Sequence, residues 1–155
     1  MLKLSLLLRK SALKHIFLFS DGSALGNPGP GGFGTILRYN GNERVVRGHE
    51  AYTTNNRMEL LGVIEGLRAL KEPCKVSIVS DSSYVVNAIN GWLENWVKKN
   101  FKNVKNVDLW QAYLEVSKPH HVEATWVRGH DGHEENERCD VIAKEEATKA
   151  KQLQG

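Results

Sequence analysis

Cysteine is scarce: Cys74 and Cys139 are the only two in 155 residues. Their spacing fits no metal-binding pattern. Two thiols in a chain of this length exclude a disulfide framework and point to a reducing compartment, read here as the cytoplasm. A zinc set built from His130, His133 and Cys139 lacks a matching fourth ligand. No window approaches the roughly 18 apolar residues of a membrane span, so no membrane partner is expected. An excess of one charge is lacking too. The formal net charge is only +3, yet nearly all the acids lie outside two basic runs, Lys3 to Lys14 and Lys98 to Lys105. Such runs permit nucleic-acid contact and also serve as plain solvated faces. Hydrophobic content of 41% and charged content of 25% are ordinary for one globular domain. No internal repeat and no second domain are visible.

The opening "MLKLSLLLRKSALKH" is apolar, basic and free of acids. Its apolar core, Leu4 to Leu8, is broken by Ser5 and followed by Arg9-Lys10, with no clear small-residue cleavage site. Residues 1–13 are therefore read as a disordered or upstream-start extension, with a transit peptide as the second reading. Residues 14–150 form the domain and 151–155 a tail.

Periodicity predicts the elements. "HIFLFS" (15–20) reads as a buried strand, and residues 32–52 as two strands joined at Asn40-Gly41, a pair suited to a tight turn with positive φ. Residues 53–72 read as a helix with Thr and Asn at its start and Pro73 just beyond its end. "KVSIVS" (75–80) is a β-branched strand. Residues 81–91 are a helix ended by Gly91, and 92–106 a short aromatic and basic helix with a loop. A helix over 107–118, a strand over 121–127, a loop over 128–133 and a final helix over 134–151 complete the chain. Strands interleaved with helices after three leading strands imply an α/β fold with a mixed sheet.

The stretch Phe19 to Gly34 packs six glycines and two prolines into sixteen residues, and "GPGGFG" matches a dinucleotide-loop pattern. Such a loop must open a helix, whose N-terminus holds the pyrophosphate. Gly34 instead leads into "TILRY", β-branched and without a capping signal, and the Gly-Lys-Ser/Thr of a phosphate loop is absent. The stretch reads as a long turn rich in positive φ.

Acids stand at telling places. Asp21 follows one apolar strand and Asp81 another, so parallel neighbours would bring both carboxylates to one end of the sheet, where α/β sites form. Glu59 shares a helix face with Gly62, Val63 and Gly66. Two glycines on one stripe cost about 1 kcal/mol each against alanine and suggest close approach of the sheet. Asp140 shares a face with Ala143, Ala147 and Ala150. Each acid taken alone is equally readable as exposed or capping, and Asp81 is a good N-cap for "SSYVV". Four acids converging without cations would destabilise the fold, and carboxylates without matched arginines suit hard divalent cations. Spacing alone leaves this a candidate metal site.

Five segments in order, "DGSALGNPGPGGFG", "TTNNRMEL", "SDSSYVVNAINGW", "VKNVDLWQ" and "WVRGHDGHEENERCD", closely resemble bacterial ribonuclease H of type 1 over about residues 15–148. The resemblance implies a mixed five-stranded sheet flanked by helices and cleavage of the RNA strand in an RNA–DNA hybrid, leaving 5′-phosphate and 3′-hydroxyl ends. It implies two Mg²⁺ ions per active site, with Mn²⁺ able to substitute, held by Asp21, Glu59, Asp81 and Asp140. His130 falls on the family's mobile-loop histidine, there to shuttle a proton or help release product. A monomer is expected.

The same resemblance places substrate contacts. Asn27, Thr54, Asn55 and Asn56 fall where relatives touch RNA riboses or the minor groove, and the glycines around Asn27 would let backbone lie close to the hybrid. Thr54 and Asn106 match positions that grip a DNA phosphate. Trp92 and Trp96, followed by Lys98, Lys99, Lys102 and Lys105, form an aromatic-basic stretch suited to backbone tracking. Four apart, both tryptophans could instead be core, a reading that suits Trp96 more than Trp92. The chain departs from the best-known bacterial pattern in a basic segment about five residues shorter, in Phe101 for a common tryptophan, in Tyr52 for an arginine near the DNA-phosphate pocket and in Ser83 for a glutamine. Two readings from other classes are an idle hybrid-binding module and an integrase-like strand-transfer enzyme. The four acids speak against the first, and the short length and "TTNNRMEL" against the second.

Overall fold

The computed structural model describes residues 13–129 and 133–154. Residues 1–12 of the expected 1–13 extension and the loop histidine His130 lie outside the described residues. Three antiparallel strands lead: β1 (Lys14–Ala24), β2 (Gly29–Tyr39) and β3 (Asn42–Thr53). Helix α1 (Asn55–Arg68) crosses to β4 (Cys74–Ser80). Helix α2 (Ser83–Asn87), a π-helical turn (Ala88–Trp92), α3 (Leu93–Lys98) and α4 (Val107–Ser117) lead to β5 (His121–Trp126) and α5 (Glu134–Leu153). The sheet has five strands in the order β3-β2-β1-β4-β5. β1 pairs antiparallel with β2 and parallel with β4, and β4 pairs parallel with β5. This is the mixed, helix-flanked sheet that the motifs imply.

Alternation along the strands sorts the two faces. Ile16 and Leu18 of β1, Leu37 of β2 and Val76 and Ile78 of β4 join Leu60, Val63, Ile64 and Leu67 of α1 in the main core, closed by Trp110 and Tyr113 of α4. Phe19 and Ile36 turn the other way and pack with Cys139 of α5. The hairpin turn carries positive φ at Asn40 (47°) and Gly41 (82°), as the Asn-Gly pair predicts. Thr54 caps α1, its hydroxyl accepting from the Arg57 N–H at 3.2 Å.

Three expectations change. The glycine-rich stretch is not a long turn: β1 runs to Ala24 and β2 begins at Gly29, with positive φ only at Gly26 and Asn27. Two of its glycines, Gly32 and Gly34, admit the last helix. A Cβ at Gly32 would sit 2.5 Å from the Ala147 nitrogen, and one at Gly34 2.8 Å from the Cys139 carbonyl oxygen. Gly91 does not end a helix. The chain continues through the π turn, where the Leu93 N–H donates to the Ala88 carbonyl, and stops only after Lys98, where Asn100 and Phe101 take φ of 53° and 57°. Nothing lies within 4 Å of a Cβ built on Gly91, so neither packing nor conformation requires glycine there. Finally, α5 runs to Leu153, so residues 151–153 are its last turn rather than part of a tail.

One polar feature was not foreseen. Glu146 of α5 is 3% exposed and faces β3. Its oxygens accept from Arg47 Nε at 2.7 Å and Lys149 Nζ at 3.0 Å, and meet His49 Nδ1 at 3.1 Å. Burial alone would raise its pKa, but the hydrogen bonds from His49, Arg47 and Lys149 prevail and hold it down at about 2. Its contribution is therefore present above about pH 4.5 and lost as pH falls through about 2. Glu146→Gln is expected to cost about 2 kcal/mol at pH 7, lowering Tm by about 6 °C. The deficit should shrink towards pH 2 in thermal melts, and a constant deficit across pH would contradict the charge-based account.

Candidate active site

Register brings the first two acids together. Ser20 pairs with Ser80 across the parallel β1–β4 ladder, so Asp21 and Asp81, the next residues, emerge side by side. Asp21 still pairs with Gly34, three residues before β1 ends, and is 6% exposed. The third acid arrives because α1 lies directly on β1. A Cβ at Gly22 would stand 2.3 Å from the Glu59 nitrogen, so only glycine lets the helix come this near. Higher up the same face, a Cβ at Gly66 would be 2.8 Å from Leu18 Cδ1, the close approach that the two-glycine stripe suggests. One carboxylate oxygen each from Asp21, Glu59 and Asp81 lie within 4.8 Å of one another.

Asp140 stands beside this trio without joining it at that distance. It lines one narrow cleft with Asp21, Asp81, Arg128, His133, Asn136 and Glu137. Lys144, one turn on, places Nζ 3.0 Å from Asp140 Oδ2. The expectation of acids without nearby cations is thus corrected: Arg128 lines the cleft and Lys144 pairs with its Asp140. Glu59 Oε2 is sealed from solvent and has no hydrogen-bond partner among the described residues. Asp21 Oδ1 accepts from the Gly22 N–H at 2.9 Å. Burial, with Asp81 and Asp140 nearby, nevertheless pushes the Asp21 carboxyl up to about 7. Burial and the adjoining Asp21 likewise push Glu59 well above the usual carboxylate range. An all-oxygen donor set with a sealed, unpartnered oxygen fits a hard divalent cation. Oxygens on opposite sides of such an ion, bound at about 2.1 Å, stand about 4.2 Å apart.

Asp81 does not cap the helix after it. Ser82 does, its hydroxyl accepting from the Val85 N–H at 3.2 Å. The main chain at Asp81 is pinned on both sides: Trp126 Nε1 donates to the Asp81 carbonyl at 3.0 Å, and the Ser82 N–H donates to Ser80 Oγ at 3.0 Å. Trp126, Arg128 and Asn136 were not singled out from the sequence. Trp126 and Arg128 carried no readable signal, since their neighbours are far away along the chain. Asn136 did carry one, lying four residues before Asp140 and so on its helix face.

The expected substrate contacts gather along the β1–α1 edge and around α4. Asn27 Oδ1 accepts from the Asn55 main-chain N–H at 2.9 Å, and Asn55 Oδ1 accepts from the Ala24 N–H at 2.7 Å. Asn56 is exposed. Asn106, with φ of 59°, donates from Nδ2 to the Tyr84 hydroxyl at 3.1 Å and accepts from Arg57 at 3.3 Å. That couples it to the helix that Thr54 caps. Trp92 is 47% exposed, whereas Trp96 leans edge-on against the fully buried Trp110 at 5.7 Å. The tryptophans thus divide as expected between surface and core.

The RNase H family model matches residues 13–148. A ribonuclease H of Sulfurovum sp. is 65% identical over 144 residues, covering 93% of this chain and 98% of that protein. A ribonuclease HI of Helicobacter pylori is 58% identical over 137 residues, covering 88% and 96%. Among solved structures, LC9-RNase H1, a type 1 RNase H with the type 2 active-site motif, superposes with a TM-score of 0.82 at 33% identity, covering 89% of this chain and 74% of that one. LC11-RNase H1 in complex with an RNA/DNA hybrid has the same fold, with a TM-score of 0.67 at 23% identity, covering 87% and 98%. With its acids gathered where β1, β4 and α1 meet, and with likeness to these relatives along nearly its whole length, this chain belongs to the ribonuclease H family.

Proposed function

We infer that the protein is an endonuclease that hydrolyses the RNA strand of an RNA–DNA hybrid, leaving 5′-phosphate and 3′-hydroxyl ends. The observation that carries this reading is the convergence of Asp21, Glu59 and Asp81 within 4.8 Å, with Glu59 Oε2 buried and without a hydrogen-bond partner among the described residues. These three and Asp140 would hold two Mg²⁺ ions, with Mn²⁺ able to substitute. Divalent cations held there would lower the pKa of an attacking water and stabilise charge on the departing ribose 3′ oxygen. The side chains themselves orient. Asp21 sits on β1, Asp81 directly follows the paired strand β4 and Glu59 lies on a helix packed against β1, so the oxygens need little rearrangement on binding. His130, beside Gly129, is assigned the proton-shuttling or product-release role.

Discrimination of RNA from DNA falls to Asn27, Thr54, Asn55 and Asn56. The carbonyl oxygens of Asn27 and Asn55 are already engaged by main-chain N–H groups, so their amide N–H groups remain to donate to a ribose 2′-hydroxyl. Thr54 and Asn106 would receive a phosphate of the DNA strand. Trp92 and the exposed Lys98, Lys99, Lys102 and Lys105 would track the backbone. Both cysteines are free and buried, which suits the cytoplasm. No helix among the described residues is long and apolar enough to cross a membrane. A monomer is sufficient for this assignment, because all the assigned residues come from one chain.

Incubation with hybrid, duplex DNA, duplex RNA and single-stranded RNA, with and without Mg²⁺, tests the reading. Mg²⁺-dependent cuts confined to the RNA of the hybrid are expected, and equal cutting of duplex DNA would replace the reading with a strand-transfer class. Hybrid affinity should also depend on salt. Four lysine–phosphate contacts imply a fall of about 100-fold between 50 and 200 mM salt. A flat response in fluorescence anisotropy would rule out the basic tracking surface.

A further inference from the structure

Asn136 lies in the first turn of α5, is 8% exposed and takes no part in the assignments above. Its Nδ2 donates to the Val79 carbonyl at 3.0 Å. A carbonyl can only accept, so this bond also settles which end of the amide is which. The bond joins two acid-bearing elements. Val79 on β4 precedes Asp81, the residue just past that strand, by two positions, and Asn136 precedes Asp140 by four on α5, one helical turn away on the same face. The other end of the amide has no partner among the described residues: Asn136 Oδ1 is buried and unsatisfied. Leaving a buried acceptor unpaired is costly. Asn136 lines the same cleft as Asp21, Asp81 and Asp140. Those carboxylates, once ionised, only accept hydrogen bonds, so they cannot serve Oδ1. Water molecules on a hard cation present their hydrogens outward and can.

We propose that Asn136 is a positioning residue for the metal site: its N–H group fixes the α5 acid relative to the β4 acid, and its oxygen accepts from the hydration shell of a divalent cation held between them. The proposal rests on the metal-binding reading above and extends it to a group outside the carboxylate set. Outer partners of this kind typically change metal affinity 10- to 100-fold. The side chain holds a main-chain carbonyl with one end, so a shorter residue forfeits both functions at once.

Calorimetric titration of the full chain with Mg²⁺ alone, without substrate, is the test. Wild type must show binding; its absence would sink the metal reading itself. Given that binding, Asn136→Ala is expected to weaken Mg²⁺ about tenfold. The Mg²⁺ concentration for half-maximal hybrid cleavage should rise by a similar factor, while turnover at saturating Mg²⁺ stays within about threefold of wild type. Asn136→Ser, polar but too short to reach Val79, should behave likewise and takes its place if the alanine variant does not fold. Arg138→Ala is the control. Arg138 shares the first turns of α5 but bonds outward to Glu43 at 2.8 Å, so Mg²⁺ affinity should hold within twofold. Asn136 variants with a lower metal-free Tm but wild-type Mg²⁺ affinity would reduce the residue to a fold-stabilising tie and overturn the proposal. Equal weakening in Arg138→Ala would overturn it too, because simple fraying of α5 would then account for the loss.

Discussion

Asp21→Asn is expected to abolish cleavage of the hybrid and, at the same time, to raise the melting temperature of the metal-free protein. The two effects have one cause. Asp21 is 6% exposed and adjoins Glu59 and Asp81, so its ionised form is disfavoured until a cation arrives. Its folded pKa of about 7 stands above the ordinary 3.8. Between those values the folded, metal-free chain binds more protons than the unfolded one, and it loses stability as pH rises through that window. Asparagine keeps the shape and removes the charge. Metal-free Tm should rise by about 5 °C at pH 8 and by much less at pH 5. Cleavage should fall at least about 1,000-fold, the scale seen when one group that stabilises transition-state charge is removed. Thermal melts in EDTA and in Mg²⁺, paired with a cleavage assay, read both effects. A variant that still cleaves within tenfold of wild type would remove Asp21 from the metal set. A variant destabilised at pH 8 would refute the claim that the cluster is held together against its own repulsion.

Gly22→Ala should be the most damaging single-methyl change in the site. A Cβ there would lie 2.3 Å from the Glu59 nitrogen, 2.4 Å from the Met58 carbonyl carbon and 2.8 Å from Met58 Cβ. Two of those three atoms are helix main chain, which cannot swing aside as a flexible side chain can. Helix α1 must therefore retreat from β1 and carry Glu59 away from Asp21. Overpacking of this kind costs about 3 kcal/mol or more, and a displacement of about 1 Å at a reacting centre costs on the order of 100-fold in rate. Mg²⁺ affinity should fall along with turnover. Gly91→Ala is the matched control. With nothing within 4 Å of its Cβ and a helical conformation already in place, it should stabilise the protein by about 0.5–1 kcal/mol. Full activity in Gly22→Ala would mean that the close approach of α1 is not what places Glu59.

The strands, the hairpin at Asn40-Gly41, the caps of α1 and the four acids were legible from local pattern, because each depends on neighbours within a few residues. The glycines were legible only in part. Gly62 and Gly66 stood out because glycine is costly inside a helix, and their close contact with the sheet is borne out. Gly22 read as a turn residue, and Gly32 and Gly34 stood both in that turn and at the start of a strand, since a strand glycine that receives a helix looks no different from one in a loop until the helix is seen. Gly91 misled for the opposite reason: glycine usually stops a helix, but here the surrounding contacts carry the chain through a π turn.

What the one-dimensional record settled was kind: an α/β chain with oxygen ligands at strand ends and small-residue helix faces. Distance was left to the tertiary structure. Whether Asp21 and Asp81 meet depends on the parallel register of Ser20 with Ser80, and whether Glu59 joins them depends on how near Gly22 lets α1 approach. The same holds for Glu146 held by Arg47 and His49, and for Asn136 on the Val79 carbonyl, pairs that lie 99, 97 and 57 residues apart in sequence. Coulomb and hydrogen-bond energies depend on separation in space, and sequence spacing reports that separation only within a single helix or strand.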